Sequence, residues 1–176
     1  MARPQGATIS SPARECWEEF ASFNASPEDG TLGHTYSANL FHIVFATKHR
    51  DDSISDPGAL WAYVAGITRN IGADPLAIGG TSNHIHLLLR LPPHISVAET
   101  TQKIKANSSR WLRESGRWES WQEGYSSFSV SVSVAGSVRR YIQNQPQHHA
   151  TRSFEDELID LLARGEIAFE KSEVFA

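Results

Sequence analysis

Two short motifs carry the residue types that could do chemistry. His84-Ile85-His86 places two imidazoles two positions apart. On an extended strand alternate side chains share a face, so both rings would project together while Ile85 points the other way. Paired imidazoles on a rigid strand make a ready site for a divalent metal; two surface histidines that happen to alternate give the same pattern. The second motif is Tyr141-Ile142-Gln143-Asn144-Gln145. On a helix Tyr141 and Gln145 lie four apart and share a face, so a phenol and an amide oxygen could converge on one point. Arg139 and Arg140 in the preceding turn are suited to meet phosphate. A tyrosine hydroxyl has a pKa of about 10 and is mostly neutral at neutral pH, so as a nucleophile it needs assistance. The plainer alternative is an amphipathic helix with the ring of Tyr141 in the core and its hydroxyl at the edge.

The elements around these motifs are legible from periodicity. Leu40–Thr47 is rich in β-branched and aromatic residues and reads as a strand. Pro57 opens a helix over Gly58–Ile71, where Leu60, Tyr63, Val64, Ile67 and Ile71 recur at helical spacing. Pro75–Gly79 reads as a short strand, and His84–Leu91 as a strong one that Pro92 and Pro93 end. A helix is expected over Ser96–Glu114, with Ser96 as cap and Glu99 as its capping-box partner. Ser127–Val134 alternates Phe128, Val130, Val132 and Val134 with serine, the pattern of a half-buried strand. Ala135–Gln147 reads as a helix disturbed near Pro146, and Ser153–Arg164 as another capped by Ser153. The order β-α-β-β-α-β-α-α points to an α+β fold of ferredoxin-like, RRM-like type: an antiparallel sheet with helices packed on one face.

Composition bounds the rest. The 176 residues suit one domain. The single cysteine, Cys16, excludes an internal disulfide and a multi-cysteine metal site, and fits a reducing cytoplasm. No secretory signal or membrane span is visible. Residues 1–35, rich in Ala, Ser, Pro and Gly, read as a disordered leader with a short helix near Ala13–Phe20, and 36–176 as the single domain. The net charge of −4 argues against DNA binding until its distribution is considered. Residues 1–35 carry two basic and five acidic residues and 154–176 two and seven, leaving twelve basic against eight acidic between them. Such asymmetry is compatible with a nucleic-acid partner. Lys103, Lys105, Arg110, Arg113 and Arg117 form the densest basic stretch, readable as a DNA phosphate track or as a solvated helix face. Trp111, Trp118 and Trp121 are candidates for base stacking, with core packing favoured for Trp111. Tyr125 is a rival nucleophile, set aside because it follows a glycine in a loop with no ligand partner at helical spacing. His148 and His149 suit a helix-end cap, proton transfer or DNA contact.

Taken in order, several segments resemble the single-tyrosine HUH transposases, a family that includes the REP-associated tyrosine transposases. They are Phe41-His42-Ile43-Val44-Phe45-Ala46-Thr47-Lys48, Asn83-His84-Ile85-His86-Leu87-Leu88, Lys103-Ile104-Lys105-Ala106-Asn107-Ser108-Ser109, Gly124-Tyr125-Ser126-Ser127-Phe128-Ser129-Val130-Ser131 and Tyr141-Ile142-Gln143-Asn144-Gln145. Pro146-Gln147-His148-His149 and Phe154-Glu155-Asp156-Glu157 are similar to the same family. The match runs from about residue 38 to the C-terminus. It implies that His84 and His86 bind a divalent ion, Mg or Mn, with Gln145 as third ligand and Tyr141 as nucleophile. It implies cleavage of single-stranded DNA near hairpins through a 5′-phosphotyrosine, a free 3′-OH, and rejoining of strands without ATP. It also implies a homodimer in which sheets join edge to edge and the helix bearing Tyr141 can complete the partner's metal site. The apolar strand Leu40–Thr47 is a candidate open edge, and Val134-Ala135-Gly136-Ser137 a candidate hinge or a plain strand-to-helix turn. Asn83 stands where the family also uses an acidic residue. Other readings are a relaxase or replication initiator, a domesticated hairpin-repeat DNA-binding protein without catalysis, and a ferredoxin-like RNA-binding module. The last would want exposed aromatics where His84 and His86 stand.

Overall fold

The structure, a computed structural model, describes residues 36–114 and 120–175. The expectations for the leader, Arg117 and Trp118 lie outside the described residues. The first strand, β1 (Asn39–Ala46), is followed by a short 3-10 turn at Lys48–Arg50. Then come α1 (Pro57–Asn70), β2 (Asp74–Gly80), β3 (His84–Leu91), α2 (Val97–Glu114) and β4 (Ser126–Val130). The chain closes with α3 (Val132–Gln143), α4 (Gln145–His148), α5 (Phe154–Arg164) and α6 (Lys171–Val174). The strands form one antiparallel sheet in the order β2-β3-β1-β4. This is the expected α+β arrangement, and the described residues from 38 onward belong to one unit.

Strand alternation divides the sheet into two environments. Ile43 and Phe45 of β1 and Ile85, Leu87, Leu89 and Leu91 of β3 face α1 and α2, where Leu60, Val64, Ile104, Leu112 and Trp121 complete the main core. The intervening residues face the other way. Val44 and Ala46 meet Phe154, Leu158 and Leu162 of α5, and His84 and His86 lie on this second face. The helices expected on one face are α1 and α2; the C-terminal helices cover the other. Caps follow the sequence: Asp56 and Ser153 accept from the amides of Ala59 and Asp156, at 3.0 and 3.1 Å. Ser96 accepts from the Glu99 amide at 3.1 Å, while the Glu99 carboxylate turns to Lys103 rather than closing the capping box.

Three expectations are corrected. The strand read over Ser127–Val134 ends at Val130, and Val132 and Val134 begin α3. Val130 pairs with Leu40, one residue from the start of β1, so a longer β4 would have had no partner. Val134-Ala135-Gly136-Ser137 is therefore helical, not a hinge, and Val134 is 47 % exposed. Second, the helix read over Ala135–Gln147 is broken at Asn144 (φ −97, ψ 15), because Pro146 has no N–H to continue the ladder. Third, β1 is no open edge. It lies between β3 and β4, and two-sided burial accounts for its continuous apolar run.

Candidate active site

His84 and His86 are both fully buried, on the second face of β3. Their neighbours in the sheet are small: Ala46 opposite His84, and Val44 and Gly79 either side of His86. Gly79 also decides where α3 lies. A Cβ there would stand 2.2 Å from the Ile142 carbonyl oxygen, so only glycine lets the helix approach this closely. That approach sets the Tyr141 ring edge-on to His86 and His42, with centroids 5.9 and 6.1 Å apart.

Each imidazole has one nitrogen engaged and the other turned inward. His84 Nδ1 lies 2.7 Å from Asn83 Oδ1 and 2.9 Å from Thr81 Oγ1. The Asn83 amide oxygen thus does what a carboxylate would do here, fixing the tautomer that leaves Nε2 open. His86 Nδ1 is 2.9 Å from His42 Nε2. His149 Nδ1 donates to the Arg152 carbonyl at 2.8 Å. The inward nitrogens meet at Glu157, only 1 % exposed on α5. Glu157 Oε2 is 3.2 Å from His86 Nε2, 3.1 Å from His149 Nε2 and 3.9 Å from His84 Nε2. Its Oε1 accepts from the Tyr141 hydroxyl and, at 2.8 Å, from Gln145 Nε2; the Gln145 Oε1 is 3.1 Å from His84 Nε2. Tyr141, Gln145, His84 and His86 therefore meet within one chain.

Burial sets the protonation states. It lowers His42 and His84 to about 3, with the neighbouring His86 adding to the effect, and it lowers His86 as well. Burial works against the charge of Glu157, yet the adjacent His86 and hydrogen bonds from Gln145 and Tyr141 hold its carboxyl below the usual range. Burial and the hydrogen bond to Glu157 raise Tyr141 above its ordinary value. Neutral imidazoles beside a carboxylate are what a divalent metal requires of its ligands. Donor atoms of His84, His86, His149 and Glu157 all lie within 4.8 Å of one another. His86 Nε2 is buried without a hydrogen-bond partner, the mark of a ligand position. The residues present fit a metal.

The family model "Transposase IS200 like" matches residues 35–145, which contain both motifs. The chain belongs to the IS200-like transposase family. The transposase for insertion sequence element IS200 of Salmonella typhimurium is 29 % identical over 130 residues, covering 67 % of this chain and 84 % of that protein. The Salmonella typhi protein of the same description matches equally. Among solved structures, a Deinococcus radiodurans protein assigned as a transposase superposes with a TM-score of 0.51 at 24 % identity, covering 65 % of this chain and 97 % of that one. A REP-associated tyrosine transposase bound to a REP hairpin superposes with a TM-score of 0.51 at 14 % identity, covering 70 % and 74 %. At these identities the two structures share the transposase fold.

The basic candidates of this transposase fall into two groups. Arg139 and Arg140 sit on α3 beside Tyr141; Arg140 donates to Ser137, and Arg139 Nε has no hydrogen-bond partner. Lys103, Lys105, Arg110 and Arg113 lie on α2, across the sheet from Tyr141. Lys103 pairs with Glu99 and Arg110 with Asn107. Lys105 is half-buried and donates to the Gln122 and Gly124 carbonyls, at 2.7 and 2.6 Å, so it fastens the loop before β4. Trp121 is no stacking platform: it is buried edge-on to Phe45, and its Nε1 donates to Ser108. Trp111 stacks on Tyr63. Tyr125 lines a surface groove on α2 with Lys105 and Trp121, away from the histidines.

Sequence reasoning missed Glu157 and His42, and it left His149 as a helix-end cap. The signal for Glu157 was present. It shares the apolar face of α5 with Phe154, Leu158 and Leu161, a place where a solvated glutamate does not belong.

Proposed function

We propose that this protein cleaves single-stranded DNA near hairpins by attack of Tyr141 and rejoins the strands through the same linkage. The observation that carries this is the convergence of Tyr141, Gln145, His84 and His86 around the buried Glu157 carboxylate. His84 and His86, with Gln145, would hold a divalent ion, Mg or Mn. When bound, that ion supplies Lewis-acid polarisation of a phosphate oxygen. The chain's own groups do the rest. Glu157 Oε1 fixes the direction of the Tyr141 hydroxyl, and α3 holds the ring against His86. The tyrosine oxygen gives up its proton and bonds to phosphorus as the bond to the 3′-oxygen breaks, and the departing 3′-oxygen takes up a proton, giving a 5′-phosphotyrosine and a free 3′-OH. The phosphodiester energy is kept, so a later 3′-OH reverses the attack and joins strands.

Arg139 and Arg140 would hold DNA at the site; Lys103, Arg110 and Arg113 would hold it on the α2 side, with Lys105 shaping the loop beside them. The unit 36–176 is the working domain, acting in the cytoplasm as a homodimer. No described helix is long and apolar enough to cross a membrane. The test is denaturing electrophoresis of protein incubated with labelled hairpin DNA and Mn or Mg. A covalent adduct is expected that Tyr141→Phe abolishes while the circular dichroism spectrum stays the same. An adduct of equal yield in Tyr141→Phe removes Tyr141 from the chemistry.

A further inference from the structure

We propose that Glu157, joined by His149, is itself a ligand of the divalent ion, so that the ion fastens α5 to β3 and is a transition ion such as Mn(II) in preference to Mg. This rests on the reading that His84 and His86 hold a metal.

The donor geometry comes first. Glu157 Oε2, the oxygen not used by Tyr141, is the one that faces the three inward imidazole nitrogens, at 3.1 to 3.9 Å. All four donor atoms lie within 4.8 Å of one another, the spacing of a shared coordination sphere. The opposite nitrogen of each ring is tied to Thr81 and Asn83, to His42 or to the Arg152 carbonyl, which is how ligating histidines are oriented.

Counter-charge comes second. A carboxylate that is 1 % exposed on an apolar helix face is costly without a compensating cation. The ion pairs that Glu157 makes among the described residues are with His84, His86, His148 and His149, and none is with a lysine or arginine. A divalent ion seated between Oε2 and the imidazole nitrogens would supply that cation. Gln145 Nε2 donates to Glu157 Oε1, so the amide orients the carboxylate as well as facing His84 with its oxygen. One carboxylate then serves two groups, with Oε2 toward the ligand set and Oε1 holding the nucleophile. Imidazole favours transition ions, whereas Mg keeps oxygen ligands and water; a set that joins imidazoles to a carboxylate admits Mn(II), which takes the carboxylate oxygen as well.

Metal binding to the chelated, DNA-free protein tests this. Mn(II) is titrated by electron paramagnetic resonance, and thermal melts are taken with and without it. The wild type should bind one Mn(II) more tightly than Mg and melt higher with it. Glu157→Gln, which keeps the shape and a hydrogen-bond acceptor, should bind Mn(II) about tenfold or more weakly and lose most of the rise. Glu157→Gln with wild-type affinity and wild-type rise, beside a dead His84→Ala, His86→Ala double variant, overturns the proposal and leaves the underlying reading standing. Wild-type Mn(II) binding by the double variant defeats that reading instead. Should Glu157→Gln not fold, His149→Ala decides: a weakened site supports the proposal and an unchanged one overturns it. Equal affinity for Mg and Mn(II) overturns the choice of ion.

Discussion

The buried imidazoles make the site's stability depend on pH. Histidines of the unfolded chain titrate near 6.5, whereas His42 and His84 titrate at about 3 in the folded protein. Between those values the unfolded chain binds more protons, so stability rises with pH across the window and falls on acidification. The slope is about 1.4 kcal/mol per pH unit for each histidine within it. Glu157 acts in the same sense lower down, since a carboxyl held below its ordinary value contributes stability above that value and loses it as pH falls. We predict that urea unfolding of the chelated protein shows stability falling from pH 6.5 to pH 4.5, and more steeply below. A flat profile over that interval would contradict neutral burial of these rings. At this scale the sequence disclosed what local spacing encodes. His84 and His86 share a strand face two residues apart, and Tyr141 and Gln145 share a helix face four apart. His42 on β1, His149 at the end of α4 and Glu157 on α5 reach the same pocket through tertiary packing, and no local period connects them to His84.

At the scale of elements, close approach of α3 to β2 turns a helix into an active-site wall. Gly79→Ala should force Ile142 and its helix outward, costing about 1–3 kcal/mol as overpacking does. It should also lower cleavage, because Tyr141 lies one residue from the contact. Loss of stability with full activity would show that the helix tolerates the shift. The strand-to-helix boundary ahead of α3 was misread because Ser127–Val134 alternates without interruption; only the length of β1 reveals where pairing stops. The basic residues of α2 separate in the same way by their surroundings. Arg110→Gln with Arg113→Gln should shallow the dependence of log affinity on log salt by about 0.7 per lost contact on single strands. Lys105→Gln should instead lower the melting temperature, since its ammonium holds two loop carbonyls. An unchanged slope in the arginine double variant would make α2 a solvated face.

At the scale of the whole molecule, Tyr141, Gln145, His84 and His86 come together within one chain. The family resemblance implied that one subunit's tyrosine helix could complete the other's metal site, and a hinge before that helix would have allowed the exchange. Val134–Ser137 instead lies within the first two turns of α3, continuous with Tyr141, and Ile142 is buried against its own chain's sheet. Exchange would therefore require stripping Ile142 from Gly79 and breaking the Tyr141–Glu157 hydrogen bond. A dimer needs another seam. β1 is central, but among the described residues β4 pairs with β1 alone, so the sheets of two subunits could join along its other side with both sites intact. Complementation separates the two arrangements. Tyr141→Phe protein is mixed with His84→Ala, His86→Ala protein under conditions where subunits exchange. With each site built from one chain, no mixed dimer contains a whole site, and cleavage of hairpin DNA stays at background. Cleavage approaching about a quarter of the wild type's, as random exchange gives when half of the dimers are mixed and each holds one whole site of two, would mean that α3 reaches across and that the single-chain pocket is a resting arrangement.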